Sequence, residues 1–140
     1  MNTICRLATV ADAEGINQVS KYLGYSGISD DEVNDKLHQM CNSTSDKVYV
    51  CEVGGLVVGW LHLFYARRLA SEDFFEIGGL VVNPDFRGNG IGRALVDYAV
   101  ATNKGKLRVR CNERRLESHL FYEAVGFEGK KCQRVFEIGS

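Results

Sequence analysis

Apolar and polar positions alternate along the chain with two different periods, which predicts a domain of mixed strands and helices. Thr3–Ala8 alternates weakly, as a short strand does. Thr9 lies three residues before Asp12, a spacing typical of a helix start with an acidic first turn, and a helical apolar stripe follows it. Ser29 and Glu32 have the spacing of a capping box, which predicts the start of a second helix.

The rest of the chain continues this alternation. The predicted strands are Lys47–Val53, Leu56–Tyr65, Phe74–Val82 and Leu107–Cys111, and the predicted helices are Ile91–Thr102 and Leu116–Val125. Gly54-Gly55 predicts a tight hairpin turn, and Gly126 is placed to end the last helix. Phe127 and Val135–Ile138 predict a final strand or hairpin. The order β-α-α-β-β-β-α-β-α-β predicts an α/β (α+β) mixed sheet in one domain, residues 1–140.

Composition narrows the class of protein. The 140 residues are 45% apolar and carry a net charge of −1, so neither disorder nor a nucleic-acid partner is expected. The five cysteines are scattered without a C-x-x-C pair, and no histidine pair has ligand spacing, so we expect free thiols and no metal. No apolar run approaches the length of a membrane helix, and the first residues lack the pattern of a signal peptide. These features predict a soluble, cytoplasmic protein without a membrane partner.

A glycine-rich loop is the segment that points to chemistry. Five of the fifteen glycines and the single proline, Pro84, fall between Gly78 and Gly92, where a strand ends and a helix begins. The free N–H groups and the dipole of a helix start bind phosphate, and glycine lets the ligand approach the backbone. The loop lacks the Gly-Lys-Ser/Thr of a Walker A motif and the glycine spacing of a dinucleotide-binding fold. Its pattern is R-x-x-G-x-G, beginning at Arg87.

This pattern resembles motif A of the GNAT N-acetyltransferase superfamily. Asn112 and the later F-Y-x-x-x-G-F of Phe121–Phe127 resemble motif B of that family, and the opening R-x-A-T-x-x-D of Arg6–Asp12 resembles its first strand. The matches follow the family order over almost the whole chain. The resemblance implies a mixed, mostly antiparallel central sheet in which the parallel fourth and fifth strands splay apart, flanked by about four helices.

The same resemblance implies direct transfer of acetyl from acetyl-CoA to a primary amine of a small molecule. Main-chain N–H groups of the loop would hold the pyrophosphate, and the preceding strand would pair with the pantetheine arm, which Asn112 would also contact. The residues assigned to acetyl-CoA are Leu80, Val81, Val82, Arg87, Gly88, Asn89, Gly90, Ile91, Gly92, Asn112 and His119.

Two residues are the candidates for proton transfer. An alkyl ammonium titrates near pH 10.4, so it must lose a proton before it attacks a thioester. Glu76 is the leading candidate for the base, or alternatively a carboxylate that only binds the ammonium; Glu72 and Asp73 could share the task. Tyr122 would give a proton to the departing thiolate, or alternatively it is a half-exposed packing residue.

Other assignments remain open at this stage. His119 lies in S-H-x-F-Y and either orients the cofactor, acts as an acid–base group or is structural. Tyr22 and Tyr25, between the first two helices, are candidate walls of the acceptor pocket. Two alternatives to a small-molecule enzyme are a protein N-terminal or lysine acetyltransferase and a non-catalytic acetyl-CoA sensor. A homodimer is compatible with the resemblance.

Overall fold

The computed structural model describes residues 2–22 and 27–139, which form two compact units, 1–109 and 110–140. The strands are β1 Thr3–Leu7, β2 Asp46–Val53, β3 Leu56–Ala66, β4 Phe74–Val82 and β5 Leu107–Val109. The helices are α1 Ala13–Lys21, α2 Asp30–Cys41, α3 Ile91–Thr102 and α4 Leu116–Ala124, with short 3-10 turns at Val10–Asp12 and Pro84–Phe86. No helix of the described residues is long and apolar enough to cross a membrane.

The first unit is built on one sheet whose strands follow the chain order β1-β2-β3-β4-β5. The first three pairings are antiparallel, and β4 pairs with β5 in parallel. The β4–β5 pairing covers only Phe75–Ile77 against Leu107–Val109, whereas β4 continues to Val82. The mixed, mostly antiparallel sheet is therefore confirmed, and β4 extends five residues, Gly78 to Val82, beyond its last pairing with β5.

Helices cover both faces of this sheet. On one face, buried residues of α1 and α2 pack with alternate residues of β2 and with β4; this cluster includes Ile16, Val19, Leu37, Val48, Val50 and Val81. On the opposite face, α3 buries Leu95, Val96 and Ala99, and the ring of its Tyr98 meets Tyr49 of β2 edge-on at 5.4 Å. Alternate residues of β2 therefore pack against helices on the two faces of the sheet, as in a central strand.

The opening segment of the chain has a structural role. Arg6 donates two hydrogen bonds to the carboxylate of Asp12, at 2.8 and 2.9 Å, and two more to Glu52 of β2. The backbone N–H of Thr9 donates to the same Asp12 carboxylate at 2.8 Å. These bonds hold the pKa of Asp12 below its usual value. The R-x-A-T-x-x-D pattern therefore fixes the path from β1 into α1.

Two sequence predictions fail at the carboxyl-terminal end. β5 ends at Val109 instead of Cys111, and no strand forms between residues 127 and 139, where a final strand or hairpin was expected. A strand is stable only when its backbone N–H and C=O groups pair with a neighbour. The second unit contains no strand among its described residues, so Val135–Ile138 has the apolar pattern of a strand without a partner inside that unit.

Candidate functional site

The end of β4 is shaped by a capped turn. Asn83 donates its backbone N–H to the carbonyl of Val58 at 2.8 Å, and its side-chain oxygen accepts the N–H of Asp85 at 2.9 Å. Pro84 occupies the first position of the 3-10 turn, where a missing N–H is tolerated. Sequence analysis did not single out the buried Asn83, although Asn-Pro-Asp is a recognisable turn signal. The turn sets the direction in which the chain leaves the sheet.

The glycine turn, Arg87–Gly90, then delivers the chain to the start of α3. Gly88 and Gly90 have φ values of 79° and 76°, and a Cβ on either would meet no atom within 4 Å. Backbone conformation therefore requires glycine here, because left-handed φ costs other residues about 1–2 kcal/mol. The first bond of this helix runs from the N–H of Ala94 to the carbonyl of Gly90, so the helix does not use the first-turn N–H groups.

A free edge, defined as Gly78–Val82 of β4, leads into this turn. At about 3.3 Å per residue, it is about 16 Å long. The side chain of Val81 is buried in the core, whereas those of Leu80 and Val82 are half-buried. Val81 can therefore take part only through its backbone, and the predicted cofactor residues from Leu80 to Gly92 form one continuous strand, turn and helix start.

A β-bulge marks the other end of the free edge. His62 pairs with Gly79 and Leu63 pairs with Ile77, so Gly78 is the extra residue. A Cβ on Gly78 would lie 2.8 Å from Nδ1 of His62.

Gly79 is packed on the same face of the sheet. A Cβ on Gly79 would lie 2.8 Å from the ring of Trp60, so here glycine is required by close packing. The bulge points two successive glycines at the face on which the β3 rings lie.

Glu76 lies on this same face. It is buried, with 9% exposure, and in register it lies between Phe64 of β3 and Arg108 of β5. The guanidinium of Arg108 stacks 4.3 Å above the ring of Phe74, two residues before Glu76. Glu76 is therefore a buried carboxylate at the point where the free edge begins.

The two acidic residues just upstream are in different surroundings. Asp73 accepts hydrogen bonds from the Tyr65 hydroxyl, at 2.6 Å, and from the N–H of Arg68, and these bonds lower its pKa. Glu72 is exposed and bonded to Lys106 at 2.9 Å. Both carboxylates have contacts that fasten the β3–β4 connection.

His62 and Asp46 form a pair that sequence analysis passed over. Nε2 of His62 lies 2.8 Å from Oδ1 of Asp46, and the imidazole ring meets Phe64 at 5.8 Å. The β2–β3 pairing shifts by one residue between Cys51 and Glu52, and this shift sets Val48 opposite His62, which brings Asp46 within reach. A hairpin turn read from sequence does not reveal such a shift.

The second unit contains the motif-B residues. Nε2 of His119 donates to the carbonyl oxygen of Asn112 at 3.0 Å, and the Asn112 side chain accepts the N–H of Arg114. The ring of Tyr122 meets Phe121 and Phe127 edge-on, at 5.1 and 5.5 Å.

The second unit also shows why Gly126 is needed. Gly126, with a φ of 106°, ends α4 as predicted and lets Phe127 fold back to donate its backbone N–H to the carbonyl of Tyr122.

The candidate acceptor residue Tyr22 follows α1 and is exposed, whereas Tyr25 lies outside the described residues.

The chain is similar to known acetyltransferases in sequence. A family model described as an Acetyltransferase (GNAT) domain matches residues 44–129. An uncharacterized N-acetyltransferase of Methanocaldococcus jannaschii is 35% identical over 95 residues, which are 61% of this chain and 41% of that protein. A peptidyl-lysine N-acetyltransferase of Salmonella typhimurium is 33% identical over 64 residues, 46% of this chain and 43% of its own length. The chain thus spans less than half the length of both relatives.

Solved structures agree on the fold. An aminoglycoside acetyltransferase, solved with a bisubstrate analog of CoA and a neamine derivative, superposes with a TM-score of 0.87 over 100% of both chains at 15% identity. Because the sequence identity is this low, the comparison shows only a shared fold. The family model covers more than half of the chain, including β2 to β5, the glycine turn and α4. The chain belongs to the GNAT acetyltransferase family.

Proposed function

We propose that this protein transfers acetyl from acetyl-CoA to a primary amine of a small molecule. One observation carries the proposal: the free edge of β4 leads, through the Asn83 turn, into the glycine turn and the start of α3. An extended arm ending in a pyrophosphate fits this arrangement, because the edge offers unpaired backbone and the helix start offers N–H donors.

The residues present fit acetyl-CoA along this path. Backbone groups from Leu80 to Val82 would pair with the pantetheine arm, and Arg87 to Gly92 would hold the pyrophosphate mainly through N–H groups. Asn112 and His119, which are hydrogen-bonded to each other, are proposed as further contacts with the cofactor. When bound, acetyl-CoA supplies the activated acetyl group, and the protein supplies binding, orientation and proton transfer.

Glu76 and Tyr122 are the proposed catalytic residues. Glu76 acts on the acceptor ammonium, as its base or as its binding carboxylate. Tyr122 donates its hydroxyl proton to the departing thiolate, and its two aromatic neighbours would hold the ring for that role. A general acid or base in such a position accelerates transfer by about 10²–10⁴.

The class of acceptor has two candidates. The aminoglycoside enzyme in the structural comparison favours a small amine, with Tyr22 and Tyr25 as proposed walls of its pocket. The peptidyl-lysine relative favours a lysine side chain in a protein. We further propose that the enzyme works inside the cell, where its five cysteines stay reduced.

A thiol-release assay separates these candidates. The protein and acetyl-CoA are mixed with a panel of polyamines, aminoglycosides, amino acids and lysine peptides, and each acetylated product is identified by mass spectrometry. Turnover of small amines but not of peptides supports the proposal. Turnover of peptides alone selects the second candidate, and tight acetyl-CoA binding without any turnover contradicts both.

A further inference from the structure

We propose that His62, held by Asp46, is the group that takes the proton from the acceptor ammonium. This inference rests on the proposed function and adds a second residue to the site beside Glu76. It assigns Glu76 the task of holding the ammonium by charge and His62 the task of deprotonating it.

The free edge suggests where the reaction takes place along β4. If the pyrophosphate lies at the start of α3, the arm runs back toward Gly78 along the free edge, which is itself about 16 Å long. β4 and β5 pair up to Ile77 and Val109, so the free edge begins at the bulge. The reactive end of the arm would therefore lie near Gly78.

His62 lies beside the bulge. Its Nδ1 lies 2.8 Å from the point that a Cβ on Gly78 would occupy, so the imidazole lies directly against the bulge. Glu76 is opposite Phe64 in the strand register, two residues before Gly78 and on the same face. A proton acceptor and a carboxylate thus share the end of the free edge.

The hydrogen bond to Asp46 determines the tautomer of the neutral imidazole. A carboxylate only accepts hydrogen bonds, so the bond to Asp46 requires the proton of the neutral ring to be on Nε2. Nδ1 then carries the lone pair, and it has no hydrogen-bond partner among residues 2–22 and 27–139. The neutral ring is thereby oriented to accept a proton on the side that faces Gly78.

The rings of Trp60 and His62 are each held by a hydrogen bond. The indole N–H of Trp60 donates to the Ser20 hydroxyl at 2.9 Å, which fixes the ring that covers Gly79. The side chains of His62 and Asp46 remain 19% and 26% exposed, so a proton taken up at Nδ1 can pass to water. A partly exposed imidazole whose other nitrogen is hydrogen-bonded to a carboxylate suits a group that accepts a proton and then releases it.

His62 takes the first proton of the reaction. The ammonium loses a proton to Nδ1, which gives a free amine and an imidazolium paired with Asp46. The amine nitrogen attacks the thioester carbon, the carbon–sulfur bond breaks, and the sulfur leaves with its electron pair and takes the Tyr122 hydroxyl proton to become the thiol. The nitrogen loses its second proton as the amide forms, and this proton restores the Tyr122 hydroxyl. The imidazolium then gives its proton to water, so one amide, one thiol and one proton result.

Nuclear magnetic resonance tests the tautomer without any turnover. The chain has only three histidines, so the His62 signals are assigned by their loss in His62→Gln. For the neutral ring we expect the Nε2–H tautomer, with the lone pair on Nδ1. A ring protonated at Nδ1 in its neutral form overturns the proposal, because that nitrogen cannot accept a proton.

Kinetics test the role itself. We expect His62→Gln to lower kcat by about 100-fold while the Kd for acetyl-CoA stays within twofold. His38→Gln, the same change at an exposed residue of α2, should leave kcat unchanged. Imidazole added to His62→Gly should restore part of the lost rate, which a purely structural role does not allow.

The two levels of the proposal fail differently. Wild-type protein that binds acetyl-CoA but acetylates no amine contradicts the proposed function and, with it, the role of His62. Active wild-type protein whose His62→Gln variant keeps kcat within twofold contradicts the His62 role alone. The tautomer of His62 does not depend on turnover, so the first result leaves it unchanged. The activity of the wild-type protein therefore distinguishes the two failures.

Discussion

The two ends of the free edge are built in different ways. At its carboxyl end, the proposed cofactor contacts are backbone groups: the Asn83 turn, the left-handed Gly88 and Gly90, and the first turn of α3 are contiguous in sequence. At its beginning, at Gly78, side chains from β2, β3 and β4 converge on one face. A site made of backbone depends on local conformation, whereas a site made of side chains depends on strand register.

This difference predicts that the carboxyl end tolerates side-chain variation and that the beginning of the free edge does not. Arg87 and Asn89 are exposed, and only the φ values of the neighbouring glycines are demanding. Gly79, by contrast, is covered by the Trp60 ring, so even one added methyl group requires the ring to move. Substitutions at the two ends should therefore change different kinetic constants.

The largest effect is expected at the beginning of the free edge. Glu76→Gln keeps the size of the side chain but removes its charge, so kcat/KM for the amine should fall by about 100-fold. Steady-state kinetics measure it, and calorimetry should show unchanged acetyl-CoA affinity. Full activity of Glu76→Gln at every pH would mean that the carboxylate has no role in the reaction.

A tenfold effect is expected at the carboxyl end. Gly90→Ala forces a left-handed residue to change conformation, at a cost of about 1–2 kcal/mol, which raises the KM for acetyl-CoA by about tenfold. Gly105→Ala is the matched control, because Gly105 also has positive φ, 120°, and open space around it. Equal KM values for the two variants would contradict a cofactor role of the glycine turn.

Tyr122→Phe should change the rate of transfer without changing the affinity for acetyl-CoA or for the amine. Loss of one hydrogen bond to the leaving thiolate, about 1–2 kcal/mol, should lower kcat by about tenfold. The Kd for acetyl-CoA and the KM for the amine should stay within twofold, because the ring is retained. An unchanged kcat means that the phenol is not the donor, and its ring contacts with Phe121 and Phe127 are then its role.

The smallest effect on activity is expected far from both ends. Asp12→Asn weakens the bonds from Arg6 and should lower the free energy of unfolding by about 2 kcal/mol, as measured by urea denaturation. Because the pKa of Asp12 is lowered in the folded protein, this stabilisation is present above about pH 4 and is lost as the pH falls further.

The exposed Lys21–Asp30 pair offers the control for this variant. Asp30→Asn should change stability by less than about 0.5 kcal/mol, because solvent screens that pair. An Asp12→Asn protein as stable as Asp30→Asn would show that the Arg6 bonds do not hold β1 to α1.

Sequence predicted the two ends unequally well. The glycine turn, α3 and the end of α4 at Gly126 could be anticipated because each depends on neighbouring residues. The pair of Asp46 and His62 could not, since it depends on a register shift between β2 and β3. The expected strand at Val135–Ile138 failed for a related reason: an apolar alternation predicts a strand only where a partner strand exists.

Hydrogen exchange of backbone amides tests the central claim most directly. CoA is added to the protein, and exchange rates are compared residue by residue with and without it. We expect slower exchange at the free edge, Gly78–Val82, and in the first turn of α3, while β1 and β2 are unchanged. Unchanged exchange at both places, with CoA shown to be bound, would contradict the assignment of β4 and the glycine turn as the acetyl-CoA site.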